Sequence, residues 1–538
     1  MSATIIVNGR IYVERGRFEE ALLIEDGFIR AVGTSEAVRA QAPAGAAVYD
    51  ARGRTIVPGF NDSHQHLFNT GIALTDIRLH GARSIEEVKE ITRRYIETRR
   101  PAPGKVLHGM GWNQDYFEDE HRLLTREDLD SITTEYPLIF ERACGHMLTA
   151  NTAAIELAGL TRDAVCPAGG TIGRDASGEL NGIFAENARA PLTALFREKS
   201  VDDCVELIRA GMAHAAETGV TSVQTCDLRV GTWQDVLEAY NIVMADNPLT
   251  RVYHQAYFNE PAAYEQFVQT GHATGMGTPW HRFGPLKMFV DGSLGARTAF
   301  MRQPYADDPS TRGVQTMTDD ELNAMVEAAV GNDCSVAIHA IGDGAVEQVL
   351  NAYDRVCTGG RNPHRLGIVH VQITDRPLIE RFTKNHILAY VQPIFLHYDT
   401  RIVEERVGRE LASSSYAFAT MKNLGIRMSF GTDSPIEDMN PLENLYCAVT
   451  RCRLDGTPAG GWHPEEAVDI FDAVDAYTIE SAFASFEEDV KGRLLPGYYA
   501  DLVVLSENIF ENPAQTLRSA KVDATMVDGR FVYERAGA

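Results

Sequence analysis

From about residue 55 to about residue 430, short apolar runs of β character alternate with stretches of helical character. That alternation is the mark of parallel strands joined by crossover helices, so it restricts the chain to an α/β fold. Strand candidates begin near Thr55, Val106, Leu138, Thr221, Arg251, Leu286, Ser335, Leu366, Ile387 and Ile426. A (β/α)8 barrel needs eight, and these make two too many. The surplus pair is the second and third. They fall in a long segment, 71–200, that has glycine-rich turns of its own: PAGGTIG from Pro167 and DASGELNG from Asp175. We read this segment as an insertion after the first barrel strand.

The two ends of the chain echo each other. VNGRIYV begins at Val7 and VDGRFVY at Val527. An Asn-Gly or Asp-Gly pair between apolar residues predicts a tight β-hairpin at each place. ALLIEDGFIRAVG from Ala21 and DLVVL from Asp501 add further β-like pieces. Together they predict one small β domain built from 1–58 and 486–538, with 59–485 inserted into it. A chain of 538 residues is long enough for both parts.

Charge and composition exclude several functions. The net charge is −25, so phosphate backbones and anionic lipid are repelled, and neither nucleic acid nor membrane is an expected partner. The eight cysteines form no CxxC pair, which reads as reduced thiols. No window has the apolar length of a membrane span, and MSATIIVNGRIYVERG lacks the pattern of a signal peptide. The expectation is a cytoplasmic protein with a small-molecule substrate, and a homodimer on general frequency alone.

The chemistry is concentrated at strand ends. His64 and His66 lie in FNDSHQHL; residues two apart on a strand share a face, so both imidazoles can reach one ion. His339 in SVAIHAIGD, His370 in LGIVHVQ and Asp433 in MSFGTDSP each stand at or near the C-terminal end of an apolar run. In a (β/α)8 barrel those ends open on one mouth, where active sites lie. Imidazole nitrogen and carboxylate oxygen suit zinc and similar divalent ions. Such an ion lowers the pKa of its water to near ~7, and Asp433 can take that water's proton and pass it to a leaving group. Lys287, in LKMFVDGS, is the odd member. As an ammonium it cannot ligate a metal. As a carbamate formed with carbon dioxide it can bridge two ions, and otherwise it pairs with an acid or anchors a substrate carboxylate.

The segments PGFNDSHQHL, GMGWNQDYF, GHMLTANTAA, ETGVTSVQ, LKMFVDGSLGART, IHAIGD, VHVQ, FGTDSP and KGRLLPGYYADLVVLS resemble the amidohydrolase superfamily. Within it they are similar to the YtcJ-like, family 3 branch that includes N-substituted formamide deformylase. The resemblance implies a (β/α)8 barrel with a β-sandwich made from both termini. It places His64 and His66 at strand one, GVTSV at strand two, Lys287 at strand four, His339 at strand five, His370 at strand six and Asp433 at strand eight. It also implies one or two divalent ions, zinc first, and a carboxylated Lys287 bridging a pair.

Residues beyond that shell are weighed individually. Trp112 and His146 fall in the insertion and are candidates for substrate contact, with local packing as the alternative. Glu186 is placed with them. Arg297 in GSLGART is a candidate for binding a substrate carboxylate or phosphate, or for pairing with a nearby acid. His254 is read as structural, Asp343 as a partner that orients a ligand imidazole, and Asp291 as a turn residue. The expected activity is hydrolysis of a C–N bond in an amide or an N-formyl or N-acyl amine. The same residues would serve a cyclic amide, a carbamate, an ester or a deamination, and a non-catalytic barrel acting as a binding protein is the alternative of another class.

Overall fold

Strands buried on both faces read as continuous apolar runs, and eight of them line up here in a single parallel sheet. In chain order they are β1 Phe60–Gln65, β2 Val220–Thr225, β3 Arg251–Tyr257, β4 His281–Phe289, β5 Val336–Ala340, β6 Gly367–His370, β7 Leu388–Val391 and β8 Met428–Phe430. Each is hydrogen-bonded to its neighbour in sequence. The ring closes where the Asp433 amide donates to the His64 carbonyl at 2.8 Å. The computed structural model describes residues 3–118, 120–142, 146–167, 169–197 and 199–537. Ala143–Gly145 of the GHMLTANTAA region, Cys144 among them, and Ala168 of PAGGTIG lie outside the described residues.

The helices between strands carry the signals that such helices need. Asp319–Gly331, after β4, starts with a reciprocal capping box between Thr318 and Glu321. Arg376–Asn385, after β6, buries Leu378, Ile379 and Phe382 on one stripe and is capped by Asp375.

Contacts divide the chain into two compact units, Met1–Thr70 with Ile208–Ala538, and Gly71–Leu207. The first contains the barrel and two sheets made from the termini. A four-stranded sheet runs Phe28–Gly33, Ala21–Glu25, Ala3–Val7, Ala47–Asp50. A six-stranded sheet runs Arg530–Glu534, Val522–Val527, Leu502–Leu505, Thr55–Pro58, Arg10–Glu14, Arg17–Glu19. Ile6, Leu22 and Ile24 from one meet Ile11, Ile56, Val504 and Met526 from the other in a shared core, which makes the pair a sandwich. Arg251 at the foot of β3 holds this layer. Its buried guanidinium is bidentate to Asp501, reaches Asp528 at 3.2 Å and stacks on Trp280 and Tyr499.

Two sequence expectations are corrected here. VDGR at the C-terminus does form a hairpin, with Asp528 and Gly529 both at positive φ. VNGR does not: Ala3–Val7 and Arg10–Glu14 belong to different sheets, and Asn8–Gly9 is the step between them. Asn8 is left-handed but Gly9 is not, so the two-residue turn lacks its second positive φ. The apolar run at Thr55 is also two strands. Pro58 ends the sandwich strand and β1 begins at Phe60. Gly59 is squeezed between them, where a Cβ would lie 2.0 Å from Thr221 Oγ1.

The second unit, Gly71–Leu207, has its own six-stranded mixed sheet, ordered Gly170–Arg174, Leu180–Glu186, Met147–Ala150, Leu138–Arg142, Leu107–Trp112, Ile77–Arg78. The runs expected near Val106 and Leu138 are strands of this sheet. Its faces alternate: Leu138 and Phe140 enter one core with Trp112 and Leu79, and Ile139 enters another with Leu148 and Phe184.

No helix among the described residues is long and apolar enough to cross a membrane. The seven described cysteines are free thiols.

Candidate metal centre at the barrel mouth

The C-terminal ends of the barrel strands bring His64, His66, Lys287, His339, His370 and Asp433 into one cluster. Asp433 Oδ1 lies 3.4 Å from His64 Nε2 and 3.2 Å from His66 Nε2. The His339 and His370 rings are 4.4 Å apart, and His370 is 5.7 Å from His64. One donor atom from each of His64, His370 and Asp433 falls within 4.8 Å of the others. Lys287 is fully buried, and its Nζ sits over the Phe289 ring at 3.8 Å.

Each imidazole is oriented from behind. His64 Nδ1 meets Gln255 Oε1 at 2.6 Å, and His370 Nδ1 meets Gln392 Oε1 at 2.7 Å. His66 Nδ1 meets the Cys226 carbonyl at 3.2 Å. Carbonyl oxygens only accept, so each of these nitrogens carries the proton and each Nε2 presents a lone pair to the cluster. His339 is turned round: its Nε2 donates to the Gly292 carbonyl at 2.9 Å and lies 3.2 Å from Asp291. Its free nitrogen is therefore Nδ1. Burial, reinforced by the charge on Lys287, holds His64 well below the ordinary histidine range. Burial and the neighbouring His339 do the same to His370. Burial works against ionisation of Asp433, but His66, His64 and His370 outweigh it and hold the carboxyl below its usual range.

This is a donor set that fits a divalent cation. His64 Nε2 and Asp433 Oδ1 are buried with no hydrogen-bond partner. Buried polar atoms left unpaired are costly, and lone pairs converging on a carboxylate repel unless a positive centre stands among them. The backbone is strained at the same place. His370 has φ 81° and Asp433 φ 56°, both in the left-handed region, at a typical cost of about 1–3 kcal/mol each.

Several supporting residues have no signal in the sequence reading. Asp62 is fully buried and ties β1 to the β8 loop through Thr432 Oγ1 at 2.6 Å and the amides of His64 and Thr432. Burial, partly offset by those bonds, pushes its carboxyl up to about 7. Gln255 and Gln392 were hidden as amides within apolar runs. Asp291, read as a turn residue, instead accepts from the amides of Phe300, Ile341 and Gly342 and faces His339. Asp343, offered as the residue orienting an imidazole, is engaged by Arg302 at 2.7 Å. The His339 partner is the acid one strand earlier.

The other sequence candidates have different surroundings. His254 faces outward from β3 against Tyr240 and Phe283, and neither of its ring nitrogens has a partner. Arg297 is bonded to Asp307 at 2.6 Å, and Arg406 pairs with the same carboxylate. In the second unit, Trp112 is completely buried and donates to the Phe140 carbonyl at 3.1 Å, which is a packing role. His146 is exposed and pairs with Glu186 at 3.2 Å.

Residues 47–533 match the family model for the amidohydrolase family. The chain belongs to the amidohydrolase family. This amidohydrolase is 32% identical over 535 residues to the YtcJ protein of Bacillus subtilis (strain 168), covering 98% of this chain and 99% of that one. It is 27% identical over 545 residues to the N-substituted formamide deformylase of Arthrobacter pascens, covering 99% and 98%. Among solved structures, an uncharacterized metal-dependent hydrolase from Pyrococcus horikoshii OT3 superimposes with a TM-score of 0.78 at 28% identity, over 99% of this chain and 100% of that one.

Proposed function

We propose that this amidohydrolase is a metal-dependent hydrolase of amides, with N-formyl and N-acyl amines as its substrate class. The observation that carries the reading is the convergence of buried, unpaired His64 Nε2 and Asp433 Oδ1 with the other imidazoles at the barrel mouth. Similarity to N-substituted formamide deformylase over nearly the whole chain supports the N-formyl substrate.

His64, His66, His339, His370 and Asp433 would hold a divalent ion, zinc first. When bound, such an ion supplies Lewis acidity, polarising a carbonyl and bringing the pKa of a water to near ~7. The remaining chemistry is done by the chain. Asp433 is ionised and faces the cluster, so it accepts the proton of the attacking water as the new C–O bond forms. It then delivers that proton to the nitrogen as the C–N bond breaks, which releases carboxylate and amine. Gln255, Gln392, Asp291 and the Cys226 carbonyl keep the imidazoles in the required tautomers.

Lys287 is the third functional element. Burial brings its ammonium down to about 8, so the free amine is available near neutral pH. A free amine adds carbon dioxide to give a carbamate and a proton, and Lys287 in that form would supply anionic oxygen ligands to the bound metal.

Metal per chain, measured by elemental mass spectrometry on wild type and Lys287→Ala, tests this. About two ions in wild type, falling sharply in the variant, support the bridging carbamate. One ion in both returns Lys287 to a structural or substrate-anchoring role. No ion after incubation with zinc or manganese refutes the hydrolase. A parallel substrate screen, following formate, ammonia and ester products separately, fixes the bond that is cleaved.

A further inference from the structure

Arg229 lies in the loop that follows β2. Its main chain continues the β2–β3 pairing past the end of β2, because it forms a parallel bridge with Tyr257. The Tyr257 amide donates to the Leu228 carbonyl at 2.8 Å and the Val230 amide to the Tyr257 carbonyl at 3.1 Å. Tyr257 in turn is paired in register with Lys287 on β4. Residues in register on neighbouring strands project from the same face of the sheet. Arg229, Tyr257 and Lys287 therefore form one layer across three adjacent strands, and the buried Lys287 shows that this face is the barrel interior. Two strand spacings separate Arg229 from Lys287, roughly 10 Å.

The side chain of Arg229 is exposed and uncommitted. Among the described residues no carboxylate stands within ion-pair distance of its guanidinium and no acceptor is hydrogen-bonded to it. The nearest acid in sequence, Asp227, is engaged elsewhere: its Oδ2 accepts from Thr225 Oγ1 at 2.6 Å, Tyr240 Oη at 2.6 Å and the Phe68 amide at 3.2 Å. Arg297, by contrast, is already neutralised by Asp307.

A chain with a net charge of −25 repels anions unless a local cation receives them. We infer that Arg229 is a specificity residue that binds a carboxylate carried by the substrate several bonds from the scissile carbonyl, so that the preferred amides are acids such as N-acyl amino acids. A planar guanidinium matches a carboxylate with two parallel hydrogen bonds, which the point charge of a lysine ammonium cannot supply. This inference rests on the amide-hydrolase reading for its chemistry but not for its geometry.

The experiment compares N-formyl and N-acetyl amino acids with their carboxamide twins, on the metal-loaded wild type, Arg229→Gln and Arg229→Lys. Both kcat/KM and direct calorimetric binding are measured, and circular dichroism and metal content confirm that each variant is folded and loaded. Wild type is expected to prefer the acid over its twin by about 10- to 100-fold, the size of a charge-assisted bidentate contact. Arg229→Gln should erase most of that ratio, chiefly through KM, and Arg229→Lys should keep part of it. A wild type with no acid preference in binding, or a variant whose acid-to-amide ratio is unchanged, overturns the inference. If neither twin is hydrolysed but the Arg229-dependent preference persists in binding, the carboxylate site stands and the amide-hydrolase reading fails.

Discussion

Gln255 is one hydrogen bond away from the candidate metal centre, and on the proposed function its replacement should weaken metal binding without touching a candidate ligand. Its Oε1 accepts from His64 Nδ1 at 2.6 Å in a fully buried setting. In Gln255→Leu the imidazole N–H loses its acceptor where no water reaches it. An unsatisfied buried donor costs about 1–3 kcal/mol. Loss of a partner behind a ligating histidine typically lowers metal affinity about 10- to 100-fold, or about 1.4–2.7 kcal/mol. The two magnitudes agree. Zinc affinity measured by competition with a chromogenic chelator should therefore fall by one to two orders of magnitude. Gln255 also donates to the Ser63 carbonyl at 3.0 Å, so Gln255→Glu separates the two bonds. It keeps an acceptor for His64 and should bind zinc at least as tightly as wild type. His254→Phe is the control one residue earlier, on the outward face of β3. It removes two unpaired buried nitrogens, so zinc affinity should stay within two-fold and stability should hold or rise. The reasoning is refuted if Gln255→Leu binds zinc within two-fold of wild type, or if His254→Phe loses as much as Gln255→Leu.

Three further outcomes follow from the geometry. Arg251→Met leaves the buried Asp501 carboxylate without its bidentate partner and should cost about 3–5 kcal/mol in urea unfolding; a loss below about 1 kcal/mol would show that the pair does not hold the sandwich layer. In the second unit, burial opposes protonation of His108, but Asp76 at 2.6 Å and Glu141 at 3.3 Å outweigh it and raise the imidazole to about 9. A raised pKa contributes stability that is complete below about 6.5 and is lost as pH rises through about 9, here roughly 3 kcal/mol. Hydrogen exchange of Leu107–Trp112 and Leu138–Arg142, corrected for intrinsic rates, should show protection falling over that window in wild type and a flat profile in His108→Leu. Gly59→Ala places a methyl 2.0 Å from Thr221 Oγ1 and should lower stability by about 1–3 kcal/mol, with partial recovery on adding Thr221→Ala; no recovery would point to backbone strain instead.

The eight-stranded order and the strands that carry the clustered residues were legible because both depend on short, local patterns. A parallel barrel strand is an apolar run, and a polar residue at its end has few reasons to be there. His64, His66, His339, His370 and Asp433 each satisfy that description. The hairpin echo was half legible. Asp528-Gly529 and Asn8-Gly9 have the same local propensity, yet only the former closes a hairpin. The difference lies in which sheet accepts the next strand, and that is a tertiary choice that overrides turn chemistry.

The residues that escaped are those whose role depends on a partner far away in sequence. Gln255 is 191 positions from His64, and Asp291 reaches His339 only because β4 and β5 are neighbours. An acid in DGS looks like a turn residue from either side of it, and an acid in IGD looks like a neighbour of His339. The pairing in register decides between them: the end of β4 lies beside His339, while Asp343 opens the next helix and is engaged by Arg302. The same logic separates the two arginines. Arg297 sits in the more specific motif but meets Asp307 ten residues on, whereas the Arg229 guanidinium, in the loop after β2, has no ion-pair or hydrogen-bond partner among the described residues. A cation left unpaired at the rim of a buried centre is a stronger indication of ligand binding than a cation within a motif, because its charge has no structural use in the folded chain.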